Sequence, residues 1–159
     1  GLLYMYEFAN YFGIEALLKD CKDTFIDTAF KKDVSDKQIE KFKKLLRFQD
    51  IELDLSKREK VTVNSLKVIL ACFPNLKTLD LSYKNIGVVG ARVLANKLKE
   101  NKTLKVLYFE DNHSGCMGFN AMVGMLKANN TLRTLSIRWA LPGPDEVVNL
   151  VEEINCITI

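Results

Sequence analysis

The sequence predicts an α/β fold: a short solenoid of about four 28-residue strand-loop-helix units, its parallel sheet on the concave side, preceded by a small helical segment. Three observations predict it. Leu76, Leu104 and Leu132 each open a segment of the form L-x-x-L-x-(L/F/I), continued by Leu79 and Leu81, by Leu107 and Phe109, and by Leu135 and Ile137; one further step back of 28 residues reaches Phe48, Ile51 and Leu53. The later part of each unit keeps the same phase, since Ala91, Leu94, Ala95 and Leu98 align with Phe119, Met122, Val123 and Leu126, and then with Val147, Leu150, Val151 and Ile154. That spacing is one face of a helix, whereas the earlier part alternates apolar and polar residues as a strand with one buried side does.

Taken in order, residues 1–47 read as three helices. The first, Leu2 to Tyr11, ends at Gly13, a residue suited to the left-handed conformation that closes a helix. A second runs from Glu15 to about Phe30 and buries Leu17, Leu18, Cys21 and Phe25. Ser35 opens a third, with Gln38 three residues on as a capping box and Ile39, Phe42, Leu45 and Leu46 as its apolar face. The units then follow as 48–75, 76–103, 104–131 and 132–159. A single unit cannot cover its own apolar face, so it needs neighbours, and the ends need caps. The helical segment caps one end; a final helix starting at Asp145 and Glu146, with Glu152 and Glu153 outward, closes the other.

At these residues the chain resembles the leucine-rich repeats of the ribonuclease-inhibitor type. The stretch "LKTLDLSYKNIGVVGARVLANKLKENKT" matches best, with Ile86-Gly87 after the turn, Gly90-Ala91 at the helix start and Asn101 at the close. Ser114-Gly115 and Pro142-Gly143-Pro144 depart from the pattern in the last two units. Of the positions where the family carries an asparagine ladder only Asn112 matches; the others hold Ser56, Lys84 and Ala140, with Asn85 one residue away. The stretch "LLYMYEFANYFGIEALLKDCKDTF" resembles the helical end of a BTB/POZ domain through Phe8, Ala9, Tyr11, Phe12, Ile14, Leu17, Leu18 and Cys21. That second resemblance implies a BTB fold upstream, with self-association through that upstream region and recruitment of a cullin-type ubiquitin ligase. The protein would then be a substrate adaptor, a role consistent with a microbial effector.

Composition bounds the function classes. With 159 residues, 48% hydrophobic and 27% charged, the chain is long enough to bury a core without disulfide or metal staples. The net charge is +3, divided as 9 basic against 8 acidic residues before Phe48 and 14 against 12 after it, which leaves no basic block for nucleic acid. Cys21, Cys72, Cys116 and Cys156 are far apart, with no CxxC pair and one histidine, His113, so a metal cluster is not expected. Such cysteine usage suits a reducing compartment, and cytoplasmic location is expected. The opening Gly1 to Phe12 stretch lacks a basic start, and no apolar run approaches the roughly 18 residues that span a membrane. No phosphate-binding glycine loop is present, and no cofactor is expected.

The outward strand positions line the concave face and are the expected partner-binding site. They are Asp50, Glu52 and Asp54; Thr78, Asp80 and Ser82; Val106, Tyr108 and Glu110; Thr134, Ser136 and Arg138. Tyr83, Lys84, Asp111, Asn112 and Trp139 continue the row at the loops. Six acids, counting Asp111, and an aromatic rim of Tyr83, Tyr108 and Trp139 fit a protein partner with a basic surface, because aromatics anchor interfaces while charge steers encounter. The plainer alternative is a strand face that is polar because water wets it. His113 and Cys116 lie three residues apart in a loop, with no third group to orient them, so their proximity is read as accidental. Cys21 sits between Lys19 and Lys22, yet its place on an apolar helix face predicts burial. The expected function is therefore a non-enzymatic protein-protein interaction module. A small-GTPase activator is the further alternative, on the strength of Arg58 in the "LSKREK" loop.

Overall fold

The computed structural model describes residues 1–13, 15–31, 34–45, 52–53, 55 and 61–137. Helix α1 (Leu2–Phe12) stops where Gly13 turns left-handed at φ 64° and returns its N–H to the Ala9 carbonyl. Helix α2 (Glu15–Lys31) packs on α1 and reaches α4 (Val63–Cys72), and α3 (Asp36–Leu45) packs on α4 as well. Entry to α3 is fixed reciprocally: the Gln38 amide donates to the Ser35 hydroxyl at 3.3 Å, and the Ser35 amide donates to Gln38 Oε1 at 2.9 Å. Strand β1 (Glu52–Leu53) is followed by α4 (Val63–Cys72), β2 (Thr78–Asp80) by α5 (Gly87–Leu98), and β3 (Val106–Tyr108) by α6 (Gly115–Ala128); β4 (Thr134–Ser136) completes a parallel sheet in the order β1-β2-β3-β4.

The expectation of a short leucine-rich-repeat solenoid of about four 28-residue units is corrected. Among the described residues six helices, three of them with no strand of their own, outweigh four strands of two or three residues. The units are unequal too. β2 pairs with β3, and β3 with β4, at a step of 28 (Leu79↔Leu107↔Leu135), but β1 pairs with β2 at a step of 26, Leu53↔Leu79. Only β4 of the last expected unit is described, and its final helix, with Asp145, Glu146, Glu152 and Glu153, lies outside the described residues. The missed register has a physical cause. Side chains alternate along a strand with period two, so Leu53 and Leu55 answer Leu79 and Leu81 at a step of 26 as well as Ile51 and Leu53 do at 28. Only the counterpart of Leu76, Phe48 at 28 against Asp50 at 26, favours the longer step.

The shortening sits in one joint. From the buried Leu98 to the buried Leu104 is six residues, whereas from the equivalent buried Cys72 to Leu76 is four. Across the longer joint Asn101 Oδ1 accepts the amides of Thr103 and Leu104, at 3.0 and 2.7 Å. Asn129 repeats this with the amides of Thr131 and Leu132, and its Nδ2 also donates to the carbonyls of Leu98 and Asn101. The short joint closes instead through Phe73, whose amide donates to Ile69 O and whose carbonyl accepts from Leu76.

Leu79, Leu81, Leu107 and Phe109 form the centre of the core on the inner side of the sheet, with Leu94, Leu98, Met122 and Met125 facing them from the helices. Helices α5 and α6 approach closely at Gly118, where a β-carbon would lie 3.0 Å from that of Ala91 and closer still to Ser114. Phe25, Ile26 and Ile39 extend the same cluster into the N-terminal helices.

Candidate functional site

The turns after β2 and β3 are built on alternate left-handed residues. Tyr83, Asn85 and Gly87 have φ of 60°, 53° and 70°, and one 28-residue step later Asp111, His113 and Gly115 have 48°, 52° and 56°. Glycine, asparagine, aspartate and histidine tolerate this region, while a bulky side chain there is an outlier. His113 therefore stands where Asn85 stands one unit earlier, as a turn residue. Between the two turns the buried Asn112 satisfies four backbone groups: its Oδ1 accepts from Lys84 N at 3.1 Å and Ile86 N at 3.3 Å, and its Nδ2 donates to Leu81 O at 2.8 Å and Glu110 O at 3.1 Å. These bonds hold the strand ends and turns that carry the candidate site.

On the outer side of the sheet, Asp80 and Tyr108 are direct cross-strand partners, followed by Ser136 on β4. Asp80 Oδ1 accepts the Ser82 amide at 2.8 Å, the Glu110 amide donates to Ser82 Oγ at 3.3 Å, and Ser136 Oγ donates to Glu110 Oε1 at 2.5 Å. The strand pairing continues into the turn, where the Tyr83 amide donates to the Glu110 carbonyl at 2.8 Å. Leu55, Asp80, Ser82, Tyr83, Lys84, Tyr108 and Glu110 line one open cleft of about 400 Å³. Tyr83 is 62% exposed and Tyr108 38%, while Leu55 is only 1% exposed and forms its floor.

Of the expected site residues, the structure brings Asp80, Ser82, Tyr83, Lys84, Tyr108 and Glu110 into this cleft. Lys84 departs from its expected outward place: it is 8% exposed and already engaged within the fold. Thr78 and Asp111 are half-buried, and Glu52 is exposed on β1 beside Thr78. Asp50, Asp54, Arg138 and Trp139 lie outside the described residues, as does Arg58. Leu55 was missed, because the 28-residue register gives it no core role; at a step of 26 it falls opposite Leu81.

No protein-family model matches the chain, and no curated protein matches it. Among solved structures, one titled Leiomodin-1 Actin-Binding Site 2 (ABS2) is similar in fold, with a TM-score of 0.61 at 20% identity over 79% of this chain and 75% of that one. The shared fold is that of helices over a small parallel sheet, and it does not support a set of four equal units.

Two of the cysteines are buried in the fold. Cys21 and Cys72 are buried thiols; burial pushes Cys72 up to about 12, and burial, then the Asp20 carboxylate, raises Cys21. The flanking Lys19 and Lys22 thus do not activate Cys21. Among the described residues no group of three metal-ligating side chains occurs, and no helix is long and apolar enough to cross a membrane.

Proposed function

We propose that the chain is a non-enzymatic protein-binding module that holds its partner on the outer face of β2 and β3, with actin as the first candidate. One observation carries the reading: two exposed tyrosines and two carboxylates converge on a cleft whose backbone is fixed from behind by the fully bonded Asn112. The fold shared with a solved actin-binding site supports the choice of partner. Buried thiols suit a reducing compartment such as the cytosol, where such a partner is found. A basic patch on the partner would complement Asp80 and Glu110.

The test is binding of the chain to monomeric and filamentous actin, and to proteins captured from lysate, with association and dissociation rates measured at two salt concentrations. Asp80→Lys is expected to slow association and flatten its salt dependence, since exposed charge acts on encounter. Tyr108→Ala is expected to speed dissociation about tenfold or more, as loss of an aromatic anchor does. If both variants bind as the parent does, the partner sits elsewhere, and the exposed Tyr4, Phe8 and Tyr11 of α1 become the next surface to probe.

A further inference from the structure

Resting on the protein-binding reading above, we infer that the cleft between Tyr83 and Tyr108 receives a single arginine side chain of the partner. The floor and walls match the parts of that side chain in turn. Leu55 offers an apolar base for the aliphatic stem, and the two exposed tyrosine rings offer faces on which a flat guanidinium can stack. At the rim, Asp80 and Glu110 supply carboxylates, for which guanidinium is the better-shaped cation because its N–H groups form a planar fork.

The hydrogen bonds give the cleft a fixed shape. Asp80 accepts the Ser82 amide through Oδ1, which orients its carboxylate and leaves Oδ2 with no partner among the described residues. Glu110 accepts the Ser136 hydroxyl through Oε1. Lys84 also lines the cleft but is buried, and both it and Glu110 have further partners, so the carboxylate that an incoming group meets at the open side is chiefly that of Asp80. Tyr83 adds an internal comparison. The equivalent turn position one unit later is Asp111, a residue that takes a positive φ at little cost, whereas a tyrosine at φ 60° is disfavoured by the turn itself. An exposed ring kept where the backbone disfavours it serves contact rather than folding.

The test uses the full chain, labelled for amide NMR, titrated with N-acetyl-arginine amide, N-acetyl-lysine amide and N-acetyl-citrulline amide, the last being the uncharged isostere of the first. The arginine probe is expected to shift the amides of Asp80, Ser82, Tyr83 and Tyr108 and to bind at least about fivefold more tightly than either other probe. Asp80→Asn and Tyr108→Leu should each weaken it severalfold while the remaining spectrum is retained. Equal responses to arginine and citrulline, equal responses to arginine and lysine, or shifts confined to other regions would overturn the inference. The citrulline comparison is made on the parent chain and so does not depend on any variant folding. Should the probes fail while Tyr108→Ala still releases a protein partner, the arginine pocket falls and the protein-binding reading stands. Should the arginine probe bind in the cleft while partner binding ignores the face variants, the partner lies elsewhere and that reading itself falls.

Discussion

Residues 76–131 and residues 52–75 share the parts described in both, a strand followed by a helix, yet they are joined to their neighbours differently. In the first region each helix returns to the next strand across six residues held by an asparagine, Asn101 or Asn129. In the second, four residues suffice, and α4 instead receives α2 and α3 on its free side. The difference teaches that register is set at the joints. The strands alone accept a step of 26 or 28 equally well, because both are even and preserve the buried face.

The comparison breaks most sharply in the core. Leu107 is fully buried between Leu79 and Leu135, and Leu107→Ala is expected to cost about 2 to 5 kcal/mol in chemical denaturation. The same kind of truncation in α1, Phe8→Ala, removes a half-exposed ring tilted against Phe12 at 4.7 Å and should cost below about 1 kcal/mol. Equal losses would mean that α1 belongs to the core as much as β3 does. Next comes Asn112→Ala, which strands two backbone donors and the Leu81 carbonyl in a buried turn, the Glu110 carbonyl keeping the Tyr83 amide; a loss of about 2 to 3 kcal/mol is expected, and a shift under about 1 kcal/mol would show that water replaces the side chain.

A smaller effect tests the first unit. Thr62 caps α4 in a reciprocal box with Ser65, so Thr62→Ala should cost about 1 kcal/mol, read from the denaturation midpoint. The smallest effect lies on the surface where α3 meets α4. A hydrogen bond from Lys67 Nζ at 2.9 Å, then the charges of Lys67 and Lys97, hold the Asp36 carboxyl below its usual 3.8. A depressed folded value means that the pair contributes above 3.8 and that this contribution fades as pH falls through the folded value. An NMR titration should find the Asp36 midpoint below 3.8 in the parent and raised by Lys67→Met; an unmoved midpoint would assign the depression to something other than Lys67.

Much of this was legible in the residues themselves. Gly13 announced the end of α1, Ser35 and Gln38 the start of α3, and the recurrence of Leu79, Leu107 and Leu135 the parallel neighbours. The two-residue deficit was not, since Ile51 and Leu53 satisfy a 28-residue step by alternation and Phe48 adds an apolar residue in phase with Leu76. Outward-facing residues of the site could be counted along the strands, and Asp80 and Tyr108 are indeed cross-strand partners. The burial of Lys84 could not be counted, because it depends on a turn whose left-handed residues at 83 and 85 rotate the chain away from strand geometry.

The short joint between α4 and β2 has a consequence for how the molecule breathes. Asn101 and Asn129 each clasp amides of the following turn, and Asn129 also clasps the preceding helix end, so opening at either place must release several bonds at once. At Phe73 the closing bond to Leu76 is longer, 3.4 Å, beside the further contacts that Phe73 and Asn75 make. Amide deuterium exchange should therefore divide the chain at this point, with residues up to about Cys72 exchanging as an early-opening group and those of β2, α5 and β3 persisting until the whole molecule unfolds. A protein that opens in that order can loosen its N-terminal helices while the face carrying Asp80 and Tyr108 keeps its shape.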